Sequence, residues 1–431
     1  MTAIVFNRNE WGRGGDAGAL GSVIPAGMTP TVIDIGDSLT AGDQWTAHHW
    51  HMGVIGAPLE SVLNTGFYGQ SMSGCLTQIT TKSWTAQDGS PGLVSAPHVG
   101  LIRLRIGTNN ARGNAVIDGT MQGYYRSIID HCLTKADYVI VYALPPVGGV
   151  TQAAAPNIAG WNAYLSTLPS IYPGQVWYVD DVADLKDGSG NIIPAYYDTA
   201  DEVHISGAGQ LQMVDTAAAQ HAAIFANQSW ASPLSDLASY PTNTNWVSNS
   251  TMTGTGGTMG GGWSGQVVTG AAVSAYGTGV AGTCSIVAAD VGDTNTTPWQ
   301  RITPSNMGAG AGTSVQVMID CAGRSYGADD PAWLEHLMQI RFNAVDGTKI
   351  HRVRMWLQAG GQMICGEGYF KINGSSSVTR TATYRRTRRR TSASTTVTGA
   401  QTTKAYIYIT SETGGTGSMG SIDIRCPIVR G

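Results

Sequence analysis

The sequence predicts an α/β domain with a parallel sheet, followed by an all-β domain of β-sandwich or jelly-roll type. Three observations carry that expectation. From about residue 28 to 229, continuous apolar runs bounded by turn residues alternate with segments of helical spacing, the pattern of a parallel sheet covered on both faces. From about 241 to 431, short alternating strands separated by Gly, Asn and Thr take over, and helical periodicity all but disappears. The 431 residues suffice for two or three domains at roughly 150 residues each, and either half can bury a full core. Residues 1–27 follow neither pattern and are expected to form an arm packed on the first domain or on a partner, while 230–240 reads as a linker.

Charge is sparse. The 25 basic and 29 acidic residues give a net charge of −4, and charged residues make up 13% of the chain against a usual share of about 25%. This excludes a uniformly basic nucleic-acid binder and a highly charged disordered chain. The 57 glycines do not recur at every third position and prolines number only 17, which excludes collagen. No apolar run is long enough to predict a membrane span. The start, MTAIVFNRNEWGRGG, has no apolar run behind a basic segment, so no secretory signal is expected. Cys75, Cys132, Cys284, Cys321, Cys365 and Cys426 lie too far apart for a CxxC metal motif or a dense disulfide framework, and pairing among the last four stays open.

In chain order, TVIDIG (31–36), SVLN (61–64), VGLIRLRIG (99–107), DYVIVYALPP (137–146) and QVWYVDD (175–181) are the expected strands of the first domain. Helices are expected over 116–133, where Ile117, Met121, Tyr124, Tyr125, Ile128, Ile129 and Cys132 share a face, and over 209–226, where Leu211, Val214, Ala218, Ala222 and Phe225 do. Beyond the linker, segments such as TSVQVMIDCAG, LEHLMQIRFNAV, HRVRMWLQAG, TKAYIYIT and GSIDIRCPIV read as strands.

The polar loops after these strands carry the chemistry. In DIGDSLTAG, Ser38 lies just beyond the carboxyl end of the first strand, where an open parallel sheet binds its ligands. A serine hydroxyl needs a base to become a nucleophile. DEVHISGAG offers His204 with Asp201 three residues before it, close enough for the carboxylate to hold one imidazole nitrogen while the other faces Ser38. Taken alone, these could equally be two ordinary polar loops. Two further loops at the same edge weigh against that: NTGFYGQS follows the second strand and GTNNAR the third. They offer the Gly69 backbone N–H and the Asn109 side-chain amide. With the Ser38 N–H these make three donors for a developing oxyanion, and losing one such donor costs about 3 kcal/mol in the transition state.

The four blocks together resemble the SGNH, or GDSL, hydrolase family. GDSLTAG is similar to the first family block with Ser38 as nucleophile, the Gly of FYGQS to the second at Gly69, GTNN to the third at Asn109, and DEVH to the last with Asp201 and His204. The resemblance covers about 28–229. It implies a flavodoxin-like three-layer fold with strand order 2-1-3-4-5 and a Ser-His-Asp esterase whose oxyanion donors are Ser38, Gly69 and Asn109, with no cofactor and no metal. Two departures, Asn110 where Asp is common and Glu202-Val203 where a Gly often precedes the His, remove no catalytic group and leave the bracing of the loops open.

The family accepts many acyl compounds, so substrate class has to come from elsewhere. After the nucleophile, GDQWTAHHWHMG supplies Trp45, His48, His49, Trp50 and His51 instead of an aliphatic wall, which suits a glycan better than a long acyl chain. The same side chains also read as helix packing or solvent contact, and they lack the carboxylate pattern of a metal site. In the β-domain Trp246, Trp263, Trp299, Trp333 and Trp356 are candidate glycan contacts, against the commoner role of tryptophan in a core. YRRTRRRTSAS, with Arg385, Arg386, Arg388, Arg389 and Arg390, reads as a solvated hairpin, a site for an anionic glycan or a carboxylate-lined subunit interface.

One buried contact can also be expected. Arg103 and Arg105 share a face of a strand covered on both sides, and a guanidinium cannot shed its charge there, so each must pair. Equal offsets from Gly36 and Gly107, with the strand order the resemblance implies, predict an Asp34 to Arg105 pair beneath the site.

The expected function is removal of O-acetyl groups from a carbohydrate or polysaccharide through an acetyl-enzyme. The alternatives are a lipid or aryl esterase of the same fold, and a catalytically inactive glycan-binding or structural tail protein. An acetylated carbohydrate or polysaccharide is the expected partner, with no nucleic acid and no membrane, in a homo-oligomer or a virion tail assembly. The architecture resembles viral tail-associated polysaccharide deacetylases, so an extracellular or virion-associated location is expected. A bacterial enzyme lacking its signal fits nearly as well.

Overall fold

The computed structural model describes residues 23–29, 31–41, 60–85, 91–149, 155–198 and 201–228 of the first domain. In the second it describes 247, 249–293, 295–308, 313–325, 333–346, 349–350, 352–359, 362–371, 377–389, 402–411, 416–417 and 419–430. Trp45, His48, His49, Trp50 and His51, the expected contacts beside the nucleophile, lie outside the described residues, as do Trp246 and Arg390. For Trp333, Arg385, Arg386, Arg388 and Arg389 only the backbone is described.

The first domain is built from β1 (Thr31–Gly36), β2 (Glu60–Asn64), α1 (Met72–Thr81), β3 (Val99–Arg105), α2 (Thr108–Arg112), α3 (Gly119–Leu133), β4 (Ala136–Tyr142), α4 (Ile158–Leu165), α5 (Leu168–Ile171), β5 (Val176–Val179) and α6 (Gly207–Ile224). Its strands are all parallel, in the order β2-β1-β3-β4-β5. The expected strand and helix positions recur within a few residues. Side-chain caps set where the helices begin: Asp118 accepts from the Met121 N–H at 2.9 Å and Ser206 from the Gly209 N–H at 3.2 Å.

Strand alternation divides the core in two. Ile33, Ile35, Ile102, Leu104, Val139, Val141 and Val176 face α1, α3 and α4, where Ile79, Tyr125, Ile128 and Trp161 complete one cluster. Val32, Leu101, Ile140, Tyr142, Trp177 and Val179 face Ala217, Ile224 and Phe225 at the end of α6, together with Ile24 and Met28. Ile24 is fully buried and its N–H reaches the Ile224 carbonyl at 2.9 Å, so the described residues 23–29 ahead of β1 are stitched onto this layer at Ile24. Each such apolar side chain contributes roughly 1.5–3 kcal/mol by leaving water.

The buried arginines correct the sequence reading. Asp34 pairs with Arg103, not Arg105, through a fork of Nε to Oδ1 at 2.6 Å and Nη2 to Oδ2 at 3.0 Å. The register sets Asp34 beside Arg103 and Gly36 beside Arg105, one pleat away from the level that matching the glycines suggested. Arg105 instead donates to Asp181, just past β5, and lies over the Tyr142 ring at 5.2 Å. Both arginines do share a face, and both are 2% exposed in their side chains.

In the second domain, the described strands are β6 (Thr258–Met259), β7 (Trp263–Gly265), β8 (Ala271–Tyr276), β9 (Val280–Val287), β10 (Trp299–Met307), β11 (Ser314–Ser325), β12 (Trp333–Asp346), β13 (Arg352–Ala359), β14 (Gln362–Lys371), β15 (Ser377–Arg389), β16 (Thr402–Thr410) and β17 (Ser421–Arg430). They form two six-stranded sheets, β15-β12-β17-β10-β9-β7 and β14-β13-β16-β11-β8-β6. The last eight strands pair as nested antiparallel partners, β10 with β17, β11 with β16, β12 with β15 and β13 with β14. That nesting is the winding of a jelly roll. Val315, Val317, Ile319, Ile340, Phe342, Val353, Ile407 and Ile422 fill the space between the sheets. Trp263 and Trp299 are buried, at 8% and 1% exposure, whereas Trp356 is only half-buried on an outward face. Cys284, Cys321 and Cys426 are buried free thiols.

Candidate active site

The carboxyl end of β1 turns sharply at Gly36. A Cβ there would lie 2.3 Å from the Arg105 carbonyl and 2.1 Å from the Thr40 Oγ1, so only glycine fits. Asp37 then organises the turn that carries Ser38. Its Oδ1 accepts the Leu39 N–H at 3.0 Å, its carbonyl accepts the Thr40 and Ala41 N–H groups at 3.0 Å each, and its own N–H reaches the Arg105 carbonyl at 3.3 Å. Burial pushes the Asp37 carboxyl up to about 6, against the opposing pull of the Leu39 N–H and Arg105. Ser38 is 7% exposed.

The loop after β2 is tied to this turn. Asn64 donates Nδ2 to the Thr40 carbonyl at 2.8 Å and accepts the Gly66 N–H at 2.7 Å, an Asx-turn, while the Phe67 N–H reaches the Gly36 carbonyl at 3.3 Å. Gly69 crests the loop at φ +71°, in the left-handed region. After β3, Gly107 takes φ +122° with the Trp161 ring 2.9 Å from where a Cβ would stand. Asn109 donates Nδ2 to the Gln70 carbonyl at 3.1 Å, which leaves that amide a second N–H. Asn110 accepts the Met72 N–H at 2.9 Å. The residue in the place where Asp is common therefore binds the third loop to the start of α1.

The fourth loop lies between β5 and α6. Asp201 accepts the Val203 and His204 N–H groups on Oδ1 at 2.9 and 3.0 Å, and its Oδ2 accepts from the His204 Nδ1. Burial opposes the charge on this carboxylate, but the backbone N–H groups and the imidazole outweigh it and hold Asp201 below the usual range. With Nδ1 protonated toward Asp201, the hydrogen-bond network assigns the lone pair to Nε2. That Nε2 is buried and has no hydrogen-bond partner among the described residues. Glu202 adopts φ +51°, where a glycine would be unstrained, and its carbonyl accepts the Gly148 N–H at 3.0 Å. Leu39 and Ile205, the residues that follow Ser38 and His204, are buried in one small cluster with Ala143, Val182 and Tyr197, which holds the two loops over the same end of the sheet.

A cavity of about 410 Å³ opens at the carboxyl ends of β4 and β5, lined in part by Val147, Gly148, Asn162, Asp180 and Lys186. Among the described residues no three His, Cys, Asp or Glu side chains converge as metal ligands would, and no helix is long and apolar enough to cross a membrane. The sequence reading missed Asn64, Asp37 and Asp181. Asn-x-Gly in NTGF was the signal for the first, since that spacing favours an Asx-turn; the other two act through contacts that only the fold creates.

No family model matches the chain, and no curated protein matches it. Solved structures do. A member of the lipolytic G-D-S-L family from Veillonella parvula is 20% identical over 46% of this chain and 98% of its own, with a TM-score of 0.33. An acetylxylan esterase from Geobacillus stearothermophilus is 13% identical over 46% and 96%, with a TM-score of 0.34. A carbohydrate esterase family 3 protein from Talaromyces cellulolyticus is 14% identical over 46% and 98%, with a TM-score of 0.32. At such identities and scores the chemistry must be argued from this chain's own residues.

Proposed function

We propose that the chain is a serine esterase that removes O-acetyl groups from a carbohydrate or polysaccharide. The observation that carries this reading is the His204–Asp201 pair, whose buried Nε2 has no partner among the described residues at the sheet edge that also bears Ser38. Ser38 Oγ attacks the acetyl carbonyl as His204 Nε2 takes its proton. The Ser38 and Gly69 N–H groups and the Asn109 amide hold the oxyanion. The carbon–oxygen bond to the sugar breaks, and the leaving oxygen takes the proton from His204. Water, deprotonated by the same nitrogen, then releases acetate and restores Ser38, while Asp201 stays ionised throughout. No step calls for a metal or a cofactor.

The polymer as substrate, and action at a cell or virion surface, follow from the appended jelly roll and from the aromatic segment 45–51. The test is acetate release from a panel of acetylated polysaccharides, with p-nitrophenyl esters of increasing chain length beside them. Acetyl esters should be preferred to octanoyl esters, and Ser38→Ala should lower turnover roughly a thousandfold or more with the melting transition unchanged. Substantial turnover in the folded variant would remove Ser38 from the mechanism. Specificity that climbs steadily from C2 to C8 would move the assignment to a lipid esterase, since each buried methylene is worth about 0.8 kcal/mol.

A further inference from the structure

Helix α6 starts directly after the His204 loop, with Ser206 as its cap, and its apolar positions serve three different clusters. Ala217 and Ile224 face the parallel sheet with Val32, Leu101 and Ile140. Met213 joins Leu39 and Ile205, the neighbours of Ser38 and His204. Leu211 and Val214, each 2% exposed, belong to neither. They lie in one contiguous apolar cluster with Val247, Met252, Val267, Val268 and the residues between the two sheets of the jelly roll, and Ala208 packs against it. Ala208, Leu211, Val214, Ala218 and Ala222 share one stripe of the helix. Along it Ala218 is half-buried and Ala222 exposed, so the cover is confined to the first turns, the end that follows His204.

The second domain meets the first at one more place. β15, an edge strand of its sheet, lies alongside β2, the edge strand of the parallel sheet. β2 runs into the Gly69 loop through Asn64, whose side chain holds the Thr40 carbonyl at 2.8 Å and the Gly66 N–H at 2.7 Å. The jelly roll thus touches the element before one candidate oxyanion donor and the element after the candidate base. Its own loop at the domain entry is fixed: Asn249 donates to the Thr253 and Thr269 carbonyls at 2.7 Å each and accepts the Thr253 N–H at 3.1 Å. Within that loop Met252 is held at φ +53°, a conformation that a residue with a side chain takes only where its surroundings impose it.

We propose that the jelly roll is a clamp on the catalytic edge, and that Leu211 and Val214 are positioning residues through which it holds His204 over Ser38. The proposal rests on the serine-esterase reading of that site. A hydrogen-bonded helix moves as a rod, and the His204 loop moves with this one: Gln210 Nε2 donates to the Ile205 carbonyl at 3.2 Å, and the Gln210 N–H reaches the Ser206 carbonyl at 2.8 Å. Met213 carries the same displacement to Leu39, beside the nucleophile. Removing apolar atoms at Leu211 leaves a cavity into which the helix relaxes. A catalytic group displaced by about 1 Å loses rate rather than substrate affinity. A module that was merely tethered would raise encounter with a polymer and leave a small soluble ester alone. A clamp affects both.

The test uses the full chain with p-nitrophenyl acetate as the small ester, beside hydrogen exchange of the peptide 198–207. Leu211→Ala removes side-chain atoms without weakening the helix, since alanine is its best former. In that variant kcat should fall about tenfold or more with KM little changed, and exchange over 198–207 should quicken. Val214→Ala, the milder cut, should show the same split at about threefold. Leu211→Met, which keeps the volume, should retain most of kcat. Ile224→Ala opens a cavity at the far end of the same helix and should leave kcat as it was. Circular dichroism and melting of each variant establish that it is folded. Unchanged kcat in folded Leu211→Ala and Val214→Ala variants, or an equal fall in Ile224→Ala, would overturn the clamp. If the parent chain does not hydrolyse the ester, the esterase reading fails, and exchange over 198–207 decides the coupling alone: unchanged exchange in the folded Leu211→Ala variant overturns it.

Discussion

In the α/β domain Arg103 and Arg105 are each met by a different carboxylate, whereas in the jelly roll the single carboxylate of Asp423 serves two guanidiniums. Arg103 has Asp34 and Arg105 has Asp181, all four side chains sealed at 2% exposure or less. Asp423, fully buried, accepts Arg301 on both oxygens at 2.8 and 2.9 Å and also takes Arg341 at 2.8 Å; Arg301 keeps 32% of its side chain in water. The first arrangement fixes geometry beneath the candidate site, since Arg105 also presents its carbonyl to Asp37. The second distributes charge so that losing one cation leaves the carboxylate compensated. Buried ions are costly when a partner is removed, far more than the intact pair is worth.

The largest effect should follow from breaking a fully buried pair. Asp34→Ala takes from the buried Arg103 the fork that holds it, and should destabilise the α/β domain by roughly 3–5 kcal/mol. Hydrogen exchange of β1 and β3 peptides, which isolates this domain from the jelly roll, measures it. Asp34→Ala with Arg103→Met should recover part of the loss, because the orphaned charge goes too. A loss under 1 kcal/mol in the single variant would mean that water reaches Arg103.

That pair also marks how far the sequence could be read. Alternation alone put Arg103 and Arg105 on one face and required acidic partners, and both inferences hold. Level did not follow, because the offset between adjacent strands is set by packing and not by where each meets a glycine. Asp181 was out of reach for another reason: β4 separates β3 from β5 in the sheet, so the contact joins residues distant in both sequence and strand order. Ser38, Gly69, Asn109, Asp201 and His204 were legible as local strings at strand ends. The shared burial of Leu39 and Ile205, which sets their loops over one edge, was not. In the jelly roll strand existence was legible and nested pairing was not, since β10 and β17 are more than a hundred residues apart.

A second contrast lies in the two buried histidines. His221, in the last turn of α6, has its Nε2 3.0 Å from the Tyr142 hydroxyl, and burial, with Arg103 and Arg105 nearby, holds it down to about 3. His336 in β12 is held to about 3 by burial. An unfolded histidine titrates near 6.5. Above that pH neither state binds the proton and the full stability is present. As pH falls from 6.5 toward 3 the unfolded chain gains the proton and the folded one does not, so stability is lost. Each histidine should remove about 2 kcal/mol by pH 5. His336→Leu should therefore lessen the acid sensitivity of β12 exchange by about that amount while leaving β4 and α6 unchanged. An identical pH dependence in the variant would show that His336 protonates in place.

The smallest effect should come from thinning the shared cluster. Arg301→Gln removes one of the two cations on Asp423, but Arg341 still donates Nε at 2.8 Å and Nη2 at 2.7 Å. Arg301 is also the more solvated of the two, at 32% against 11% side-chain exposure, so its charge was only partly withdrawn from water. Solvent screening limits such a contribution to about 1 kcal/mol. In exchange measurements on β10 and β17, Arg301→Gln should cost no more than that, against several times as much for Arg103→Gln in β3. If the two substitutions cost the same, shared acceptance gives no protection, and Asp423 depends on Arg301 as Asp34 does on Arg103. If instead Arg301→Gln is mild and adding Arg341→Met raises the cost well beyond the sum of the two, the coupling itself measures the reserve that shared acceptance provides.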